Sequence, residues 1–589
     1  MKIEKISIKN FVALKDISLS CKDLTAIIGE NNVGKSSILM ALDTFFSVGT
    51  GGMKTGYFHK VKEGDQEKVE PIVEIGCEFI DLTDYEKSEF RTRLCEDKLI
   101  LQKRYSITDD GRVEVVYLTK NKVYEDEFLN IDPPVPNRTD IEERGWQEFY
   151  PSSGRITKEI HEDAKEKIIE KTNPSHKYDY MKNPKGWQNQ CDKILPEFHL
   201  VPAVREATEE LRMTQASKLS GLVGSIISRI VLKHPSFEKL KQNVSEIKKL
   251  FDPSTKKEER IPGFDRIADS LSENLSRYIT AKVDLRPAIP DPEDFFKLGM
   301  DVSIDDGISG DLDEKGHGLQ RTFIVSMFLT YGELLREIEK EHPTDEEKEK
   351  TAFKSLVFAL EEPELYLHPQ LQRSVYDSLK DISKKHQVMY CTHSPFFVDL
   401  NNYRDIVLLK KDESNGKTTQ LQCEEELFST PERKSLQKIY RIMNEVDPKN
   451  EIFFARKIVL AEGACEKHCY PVVAKRLGVF NHSVTLVDCG GNDKIPLYQE
   501  LLNAFQLPYL VVTDQDPGNK ETEEKIDEIK KICGAGKGEL LLQIPNFEEA
   551  AGCEPESKRK PMRAIHFFSD ERNQISEKMK EYTKKIYGV

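Results

Sequence analysis

The segment LTAIIGENNVGKSS, at residues 24–37 of this 589-residue chain, gives the strongest indication of its fold. Its apolar first half predicts a buried strand that leads directly into a loop of the pattern G-x-x-x-x-G-K-[ST]. In such a loop the backbone N–H groups face the phosphates of a nucleotide, the lysine reaches the β- and γ-phosphates, and the hydroxyl binds Mg²⁺. The helix that follows adds the positive end of its dipole. We therefore expect ATP to be held by Gly29, Asn32, Gly34, Lys35, Ser36 and Ser37, with Ser36 also a ligand of Mg²⁺.

A second apolar strand ends in a pair of carboxylates, in the segment LVFALEEPELYLHP at 356–369. Because the pair follows a buried strand, Glu361 is expected to hold Mg²⁺, directly or through water, and Glu362 to polarise the water that attacks ATP. Another apolar strand further along ends in the segment THSP at 392–395. An acidic pair after a strand is common, and it gains specificity here from the segments that follow it.

Taken together, these motifs resemble those of the ABC ATPase superfamily, on the branch that includes DNA-repair ATPases of the SMC and RecF kind. The resemblance implies that residues 367–369 form the D-loop and that His393 contacts the γ-phosphate. It also implies a signature segment that reaches the ATP of a second subunit. The best match is KGHGLQR at 315–321, with Gly316 and Gly318, although it lacks the leading serine of the usual L-S-G-G-Q. A working signature requires at least a homodimer.

Carboxylates follow the strands of a later α/β segment as well. Glu462 ends an apolar strand, and Glu466 falls in the first turn of the next helix. Asp514 and Asp516 follow another apolar strand. Since side chains two apart in an extended chain point the same way, we expect these two aspartates to face one side, at the carboxyl edge of a parallel sheet.

This grouping of acids predicts a metal site. Carboxylates gathered in one place repel each other unless cations neutralise them, and ligands that are all oxygen select Mg²⁺ or Mn²⁺. Two such ions can activate water and stabilise the leaving oxygen of a phosphodiester. The patterns E-G-x-x-E at 462–466 and D-x-D at 514–516 are each common by chance, but their order after apolar strands is specific. The chemistry predicted is metal-dependent cleavage of nucleic acid.

The arrangement resembles the Toprim domain of topoisomerases, primases and certain nucleases. An ABC ATPase followed by Toprim resembles the OLD (overcoming lysogenization defect) family of ATP-dependent endonucleases, many of which act in bacterial phage defence. The resemblance implies that Glu548 is a further metal ligand, with Glu549 as the competing choice. It also implies that Lys560 stabilises charge at the cut phosphate, unless its basic run, residues 558–561, only contacts the phosphate backbone.

The expected architecture is α/β, with an ABC-type ATPase interrupted by a helical insert and followed by a Rossmann-like Toprim domain. The boundaries we predict are 1–135 for the first part of the ATPase, 136–290 for a helical, dimerising insert, 291–420 for the second part of the ATPase and 421–589 for Toprim. An apolar stripe at 219–230 within the insert fits a core face and a partner-helix face equally well.

Bulk properties limit the functional classes. The chain lacks a long apolar run and a signal segment, and its eleven cysteines form no C-x-x-C pair, so we expect a cytoplasmic protein with reduced thiols and no membrane contact. The net charge of −15 argues against DNA unless a basic surface is local.

The function predicted is an ATP-regulated, Mg²⁺- or Mn²⁺-dependent endonuclease acting on double-stranded DNA in antiviral defence. A helicase or a reverse transcriptase encoded nearby is a possible partner by resemblance. The alternatives are a non-cleaving ABC/SMC-like repair or recombination ATPase, a topoisomerase- or primase-like enzyme, and an RNase. Whether ATP licenses or restrains cleavage does not follow from the sequence.

Overall fold

The computed structural model describes residues 1–63, 66–130, 133–183, 186–202, 235–251, 261–276, 302–320, 355–412, 416–428, 449–552 and 560–588, with a few residues at 289, 322–330 and 430–438. The stripe at 219–230, most of the helix expected after the signature segment, and residues 558 and 559 lie outside this part of the chain. The chain divides into two compact units, Met1–Leu200 with Ala352–Glu364 and His368–Val589, and Val201–Thr351 with Leu365–Leu367.

Within the described residues, the strands are numbered in chain order from β1 to β21. They are Lys2–Phe11, Leu14–Ser20, Leu24–Gly29, Lys60–Glu63, Gln66–Val69, Ile72–Ile80, Leu94–Cys95, Lys98–Ile107, Val113–Tyr124, His176–Lys182, Glu197–Val201, Ser303–Asp305, Ser309–Asp311, Leu356–Glu361, Gln387–Cys391, Ile406–Lys411, Thr418–Leu421, Lys457–Ala461, Val484–Asp488, Tyr509–Asp514 and Gly538–Gln543.

The α-helices of the same residues are numbered from α1 to α14. They are Lys35–Phe46, Asp84–Glu89, Arg138–Glu143, Lys158–Thr172, Trp187–Ile194, Pro235–Phe251, Pro262–Ser276, Pro369–Ser383, Ala464–Leu477, Ile495–Ala504, Lys520–Ala535, Phe547–Ala551, Lys560–Ser569 and Glu577–Tyr587.

An antiparallel sheet opens the chain, with the strand order β10-β9-β8-β6-β1-β2 and β7 paired to β8. Alternation of apolar and polar residues produces its first strand, where Ile6 and Ile8 are buried while Lys5 and Lys9 are exposed. Strands β8 and β9 form a hairpin around a turn in which Thr108 N donates to Arg112 O.

The central sheet, in the order β11-β14-β15-β3-β16-β17, carries the glycine-rich loop. Strands β14, β15, β3 and β16 run parallel, as their mostly apolar sequences indicate, and β3 is buried along its whole length. Helix α1 packs against strands of both the antiparallel and the central sheet. Because parallel strands end at one edge, the residues that follow β3, β14 and β15 come together there.

A separate parallel sheet, the C-terminal sheet, has the strand order β19-β18-β20-β21. Its register pairs Ala461 with both Asp488 and Val512, and Asp514 with Gln543. Helices α9 and α14 share an apolar core with this sheet, in which Val459, Tyr470 and Met579 are buried. The predicted α/β class is confirmed, and the acids that follow β18 and β20 lie at one edge.

The structure differs from the sequence prediction in the first part of the helical insert. Residues 176–182 form β10, which extends the antiparallel sheet beside β9, and residues 197–201 form β11 at the edge of the central sheet. The charged composition of this stretch favoured helix, but Tyr178 and Tyr180 alternate along a short segment that follows Pro174, and pairing with β9 decides the outcome.

The other unit contributes helices α6 and α7 and the hairpin of β12 and β13, which precedes the signature segment. Within the described part of the chain, no helix combines the length and the apolar character needed to cross a bilayer.

Candidate nucleotide site and carboxylate cluster

The glycine-rich loop depends on two glycines whose backbone excludes other residues. Gly29 has φ +148°, and a Cβ there would lie 2.5 Å from the carbonyl oxygen of Leu409. Gly34 has φ +98°, and a Cβ there would lie 2.6 Å from Cδ2 of Leu14. These positive φ values, which L side chains rarely adopt, curl the chain between β3 and α1. The loop therefore has the backbone shape that a phosphate site requires.

Lys35 is a buried cation inside this loop, with 6% of its surface exposed. Its Nζ donates to the carbonyl oxygens of Gly29 at 3.0 Å and Glu30 at 2.8 Å. Burial lowers the pKa of the ammonium group, while nearby carboxylates, including Glu362, oppose that shift. The structure thus holds a positive charge where the phosphates of a nucleotide are expected.

The remaining loop residues lie around this cation. Asn32, with φ +65°, and Ser36 are exposed, whereas Ser37 is buried in α1. An exposed hydroxyl at Ser36 is free to meet a ligand, which is consistent with its predicted role.

Glu362 and His393 lie opposite the loop, just beyond β14 and β15. Glu361 is the last residue of β14, and Glu362 turns away from the strand with φ +43° while its N–H donates to Cys391 O at 2.9 Å. The Nε2 atom of His393 lies 3.9 Å from Oε1 of Glu362. Burial, and then the charge of Lys35, lower the pKa of the imidazole, which favours its neutral form. The structure brings these predicted ATPase residues to one edge.

Glu364 is a residue of this site whose role the sequence did not reveal. It is 8% exposed, and its Oε1 accepts a hydrogen bond from the backbone N–H of His393 at 2.6 Å. Gln372 joins the same network, because its Nε2 donates to Glu364 O at 3.4 Å and its Oε1 accepts from the hydroxyl of Ser394 at 2.7 Å. The motif E-E-P-E contained this acid, but only the structure shows that it fixes the His393 backbone.

The predicted signature segment belongs to the other unit. Leu319 N and Gln320 N both donate to Gly316 O, which starts a helical turn. Among the described residues, none apart from its chain neighbours comes within 4 Å of a Cβ built on Gly316. A Cβ on Gly318 would approach the carbonyl oxygen of Tyr366 at 3.1 Å. The imidazole of His317 packs on the Tyr366 ring with centroids 5.2 Å apart. The roles of Gly316 and Gly318 in nucleotide binding stay predictions.

In the C-terminal sheet, two glutamates flank the turn between β18 and α9. Glu462 is partly buried, and its Oε2 accepts hydrogen bonds from the hydroxyl of Thr513 at 2.6 Å and from Asp514 N at 3.0 Å. Glu466, 4% exposed, caps its own helix, because its Oε2 accepts from Gly463 N at 3.1 Å. Both predicted acids therefore lie beside the end of β20.

Asp514 and Asp516 are close in space, but the segment that joins them is not extended as the sequence analysis expected. Strand β20 ends at Asp514, and Asp516 has φ +41°, with its N–H donating to Pro545 O at 2.8 Å. The expectation of an extended D-x-D segment is wrong, because the chain turns to pair with the segment after β21. Asp516 nevertheless remains near enough to Asp514 to raise its pKa.

The electrostatics of the cluster show strong crowding of negative charge. Burial raises the pKa of Asp514 to about 8, helped by the charges of Glu462, Asp516 and Glu548. Burial likewise raises the pKa of Glu466 well above its usual range, with Asp514 and Glu462 adding to the shift. Glu548 thus lies within electrostatic reach of the cluster, whereas Glu549 is exposed.

Gln543 is a second residue that the sequence analysis missed. It is fully buried at the end of β21, directly opposite Asp514 in the ladder. With the amide oriented by its hydrogen bonds, the nitrogen donates to Asp514 Oδ1 at 2.8 Å and to Glu466 Oε1 at 3.1 Å. The amide oxygen accepts from the hydroxyl of Tyr470 at 2.6 Å. A glutamine after an apolar strand gives no sequence signal of this contact.

The donor atoms of the cluster fit a hard divalent cation. Within the residues described, no group of three or more His, Cys, Asp and Glu side chains is already arranged as a ligand set. The acids instead accept hydrogen bonds from the Gln543 amide and from backbone N–H groups. All of them offer oxygen, and the crowding of partly buried carboxylates makes a cation favourable, so Mg²⁺ or Mn²⁺ suits the site. The side chain of Lys560 lies outside the described part of the chain.

Comparisons with known proteins match the two sites to two different domain families. A family model described as an AAA ATPase domain matches residues 1–398, and one described as an overcoming lysogenization defect protein-like TOPRIM domain matches residues 453–516. The Old nuclease of Escherichia phage P2 is 25% identical over 533 residues, which cover 88% of this chain and 77% of that protein. The OLD nuclease of Thermus scotoductus is 23% identical over 586 residues, covering 95% and 94%.

Among solved structures, the SmcHead bound to the C-winged helix domain of ScpA covers 72% of this chain and 98% of its own, at 15% identity and a TM-score of 0.35. The strand order given above, rather than this weak likeness, defines the fold. The chain belongs to the AAA ATPase domain family, and it joins that domain to an OLD-like Toprim domain, as its resemblance to the OLD family predicted.

Proposed function

We propose that this chain is an ATP-dependent endonuclease that cuts DNA with the help of divalent metal ions bound at the carboxylate cluster. One observation carries the proposal. Two acids, the buried Glu466 and the partly buried Asp514, have raised pKa values and lie at the carboxyl edge of the sheet that the OLD-like Toprim model matches. Burying carboxylates is costly, and acids with perturbed pKa values gathered at the edge of a sheet are typical of a functional site. The names of the two OLD nucleases support the same activity.

The residues proposed to hold the metal are Glu462, Glu466, Asp514, Asp516 and Glu548. When bound, Mg²⁺ or Mn²⁺ would polarise a phosphodiester and lower the pKa of a water molecule. The protein fixes the carboxylates through the Thr513 hydroxyl, the backbone N–H groups of Gly463 and Phe547, and the Gln543 amide. Lys560, which opens helix α13, is proposed to stabilise charge at the cut phosphate.

At the other site, the chain's own residues account for nucleotide binding and hydrolysis. Lys35 and the N–H groups of the loop bind the phosphates of ATP, and Ser36 and Glu361 are proposed to hold its Mg²⁺. Glu362 would orient the attacking water, while His393, held by Glu364, contacts the γ-phosphate. Gly316 and Gly318 would reach the nucleotide of a second copy, so the active assembly is proposed to be at least a homodimer.

The biological role proposed is defence of a bacterial cell against phage DNA, in the cytoplasm. It rests on the OLD-family resemblance, and a helicase or reverse-transcriptase partner remains a prediction. The net charge of −15 requires that DNA meet a local basic surface. The domain boundaries at 135, 290 and 420 likewise remain proposals.

Supercoiled plasmid tests the proposal directly. The full-length chain is incubated with Mg²⁺ or Mn²⁺ and with ATP, varied independently, and the loss of supercoiled form is followed on a gel. We expect nicked or linear plasmid only where metal is present, and none with Glu466→Gln. Intact plasmid under every condition would favour the alternative, a non-cleaving DNA-binding ATPase, while equal cleavage by Glu466→Gln would exclude the cluster as the nuclease site.

A further inference from the structure

The end of strand β21 brings an uncharged side chain into the carboxylate cluster. Gln543 pairs with Asp514 in the parallel ladder, and Gln515 N donates to Gln543 O at 3.0 Å, so the backbone at this position is fixed against β20 and the residue that follows it. The side chain has no exposed surface. Its place among the acids is therefore set by the register of the sheet and not by a flexible loop.

The side-chain amide of Gln543 uses both of its N–H groups and its oxygen in hydrogen bonds. Its two N–H bonds go to two different acids, Asp514 at 2.8 Å and Glu466 at 3.1 Å. Its oxygen accepts from Tyr470, a fully buried residue one helical turn beyond Glu466 on α9. The opposite orientation would place the amide oxygen against carboxylate oxygens and leave the nitrogen facing a donor. Tyr470 thus determines which end of the amide faces the acids.

A neutral amide bridges the acids but cannot neutralise them. Two N–H groups satisfy one oxygen of each acid and hold the pair in a fixed relation, while the negative charge of the cluster remains for a cation. Side chains that hydrogen-bond to metal ligands fix ligand orientation, and their removal commonly weakens metal binding by about 10- to 100-fold.

We propose that Gln543 is a positioning residue that, anchored by Tyr470, holds Asp514 and Glu466 together so that a divalent metal ion meets a preassembled pair of ligands. The inference rests on the proposed function, because it needs the cluster to bind metal. It differs from that function in assigning a role to two residues that bind neither metal nor DNA.

Gln499 provides a matched control within the same domain. It is also fully buried, and its amide nitrogen donates to Ile529 O at 3.2 Å and to Cys533 Sγ at 3.1 Å, on the side of the sheet that α10 and α11 cover. Replacing either glutamine by methionine keeps the size of the side chain and removes its hydrogen bonds. Both variants lose buried polar contacts, but only Gln543→Met loses contacts with the acids.

The experiment measures Mn²⁺ affinity of the full-length protein by calorimetry without nucleotide, beside thermal unfolding. We expect Gln543→Met to bind Mn²⁺ about tenfold more weakly than the parent. Gln499→Met should bind it like the parent, although both variants unfold at lower temperature. At saturating Mn²⁺, plasmid cleavage by Gln543→Met should return to within a few-fold of the parent, because the ligands themselves remain.

Tyr470→Phe gives a second, milder variant if Gln543→Met does not fold, since it removes only the hydroxyl that orients the amide. It should weaken Mn²⁺ binding by a few-fold. The inference would be overturned if a folded Gln543→Met bound Mn²⁺ as tightly as the parent. If only Tyr470→Phe folds, parent-like Mn²⁺ affinity of that variant would overturn it. The proposed function would stand in either case. Absence of Mn²⁺ binding in the parent itself would overturn both.

Discussion

The two sites of this chain are built on the same plan and carry opposite charge. Each lies at the carboxyl edge of a parallel sheet, the nucleotide site beyond β3, β14 and β15 and the carboxylate cluster beyond β18, β20 and β21. At the first, Lys35 places a cation where an anion is to bind. At the second, Glu466 and Asp514 place acids where a cation is to bind.

The difference shows how each sheet accommodates a buried charge. Lys35 is satisfied by backbone carbonyl groups of its own loop, so the nucleotide site is internally compensated before a ligand arrives. Among the described contacts of Glu466 and Asp514 there is no buried cation, and these acids are compensated by backbone N–H groups and the Gln543 amide. A ligand therefore displaces existing contacts at the first site and supplies missing charge at the second.

The largest effect is expected at the carboxylate cluster. Asp514→Asn keeps the acceptor for Phe547 N but removes the charge, so plasmid cleavage should fall by about 1000-fold or more while ATP turnover stays at the parental rate. Cleavage and turnover measured on the same preparation provide the check. The matched control is Glu549→Gln, an exposed neighbour, which should cut like the parent. Persistent cleavage by Asp514→Asn would remove the cluster from the mechanism.

The next largest effect is expected at the nucleotide site, on ATP turnover. Glu362→Gln preserves the shape of the side chain and removes its capacity to accept a proton, so ATP turnover should drop by about 100-fold while ATP still binds. Steady-state turnover and nucleotide affinity, measured separately, distinguish chemistry from binding. A normal turnover rate would exclude Glu362 as the residue that activates water.

Lys35→Ala removes the buried cation of the nucleotide site. Loss of a charged hydrogen-bond donor should weaken ATP binding by about 10- to 100-fold, whereas Mn²⁺ uptake at the carboxylate cluster should not change. Titration with a fluorescent ATP analogue measures the first quantity. Unchanged affinity for ATP would refute the assignment of the loop.

The smallest effect concerns Glu364, which orients the backbone of His393. Glu364→Ala should slow ATP turnover about fivefold, the cost of roughly one hydrogen bond, and Glu364→Gln should restore it because the amide oxygen still accepts from His393 N. Equal turnover by the alanine variant and the parent would show that His393 does not depend on this contact.

Sequence patterns predicted well which residues lie at the carboxyl edges of the two parallel sheets. They predicted poorly the hydrogen bonds between those residues. Apolar strands followed by Gly29, Glu361 and Asp514 placed those residues correctly, because strand ends follow from the length of the apolar run. The turn at Asp516 was missed although Pro517 and Gly518, which follow it, are typical of a turn. The hydrogen bond from Asp516 N to Pro545 O depends on a distant strand and could not be predicted. Gln543 was missed for the same reason: its role comes from the register of β20 against β21.

In the antiparallel sheet, the same dependence on distant residues limited the prediction of a whole strand. Strand β1 was predictable because Ile6 and Ile8 alternate with exposed lysines. Strand β10 was not, because its seven residues are mostly polar and owe their conformation to a neighbouring strand more than 50 positions earlier in the chain. Local pattern determines strands that bury one face, and tertiary pairing determines those that do not.

The cluster around Glu466 and Asp514 is expected to bind divalent metal independently of the nucleotide site. Calorimetric titration of Mn²⁺, without nucleotide, into Lys35→Ala and into the double variant Glu466→Gln/Asp514→Asn tests this independence. We predict that Lys35→Ala takes up Mn²⁺ like the parent and that the double variant takes up none. Equal uptake by the double variant would contradict the assignment of the metal site to these acids.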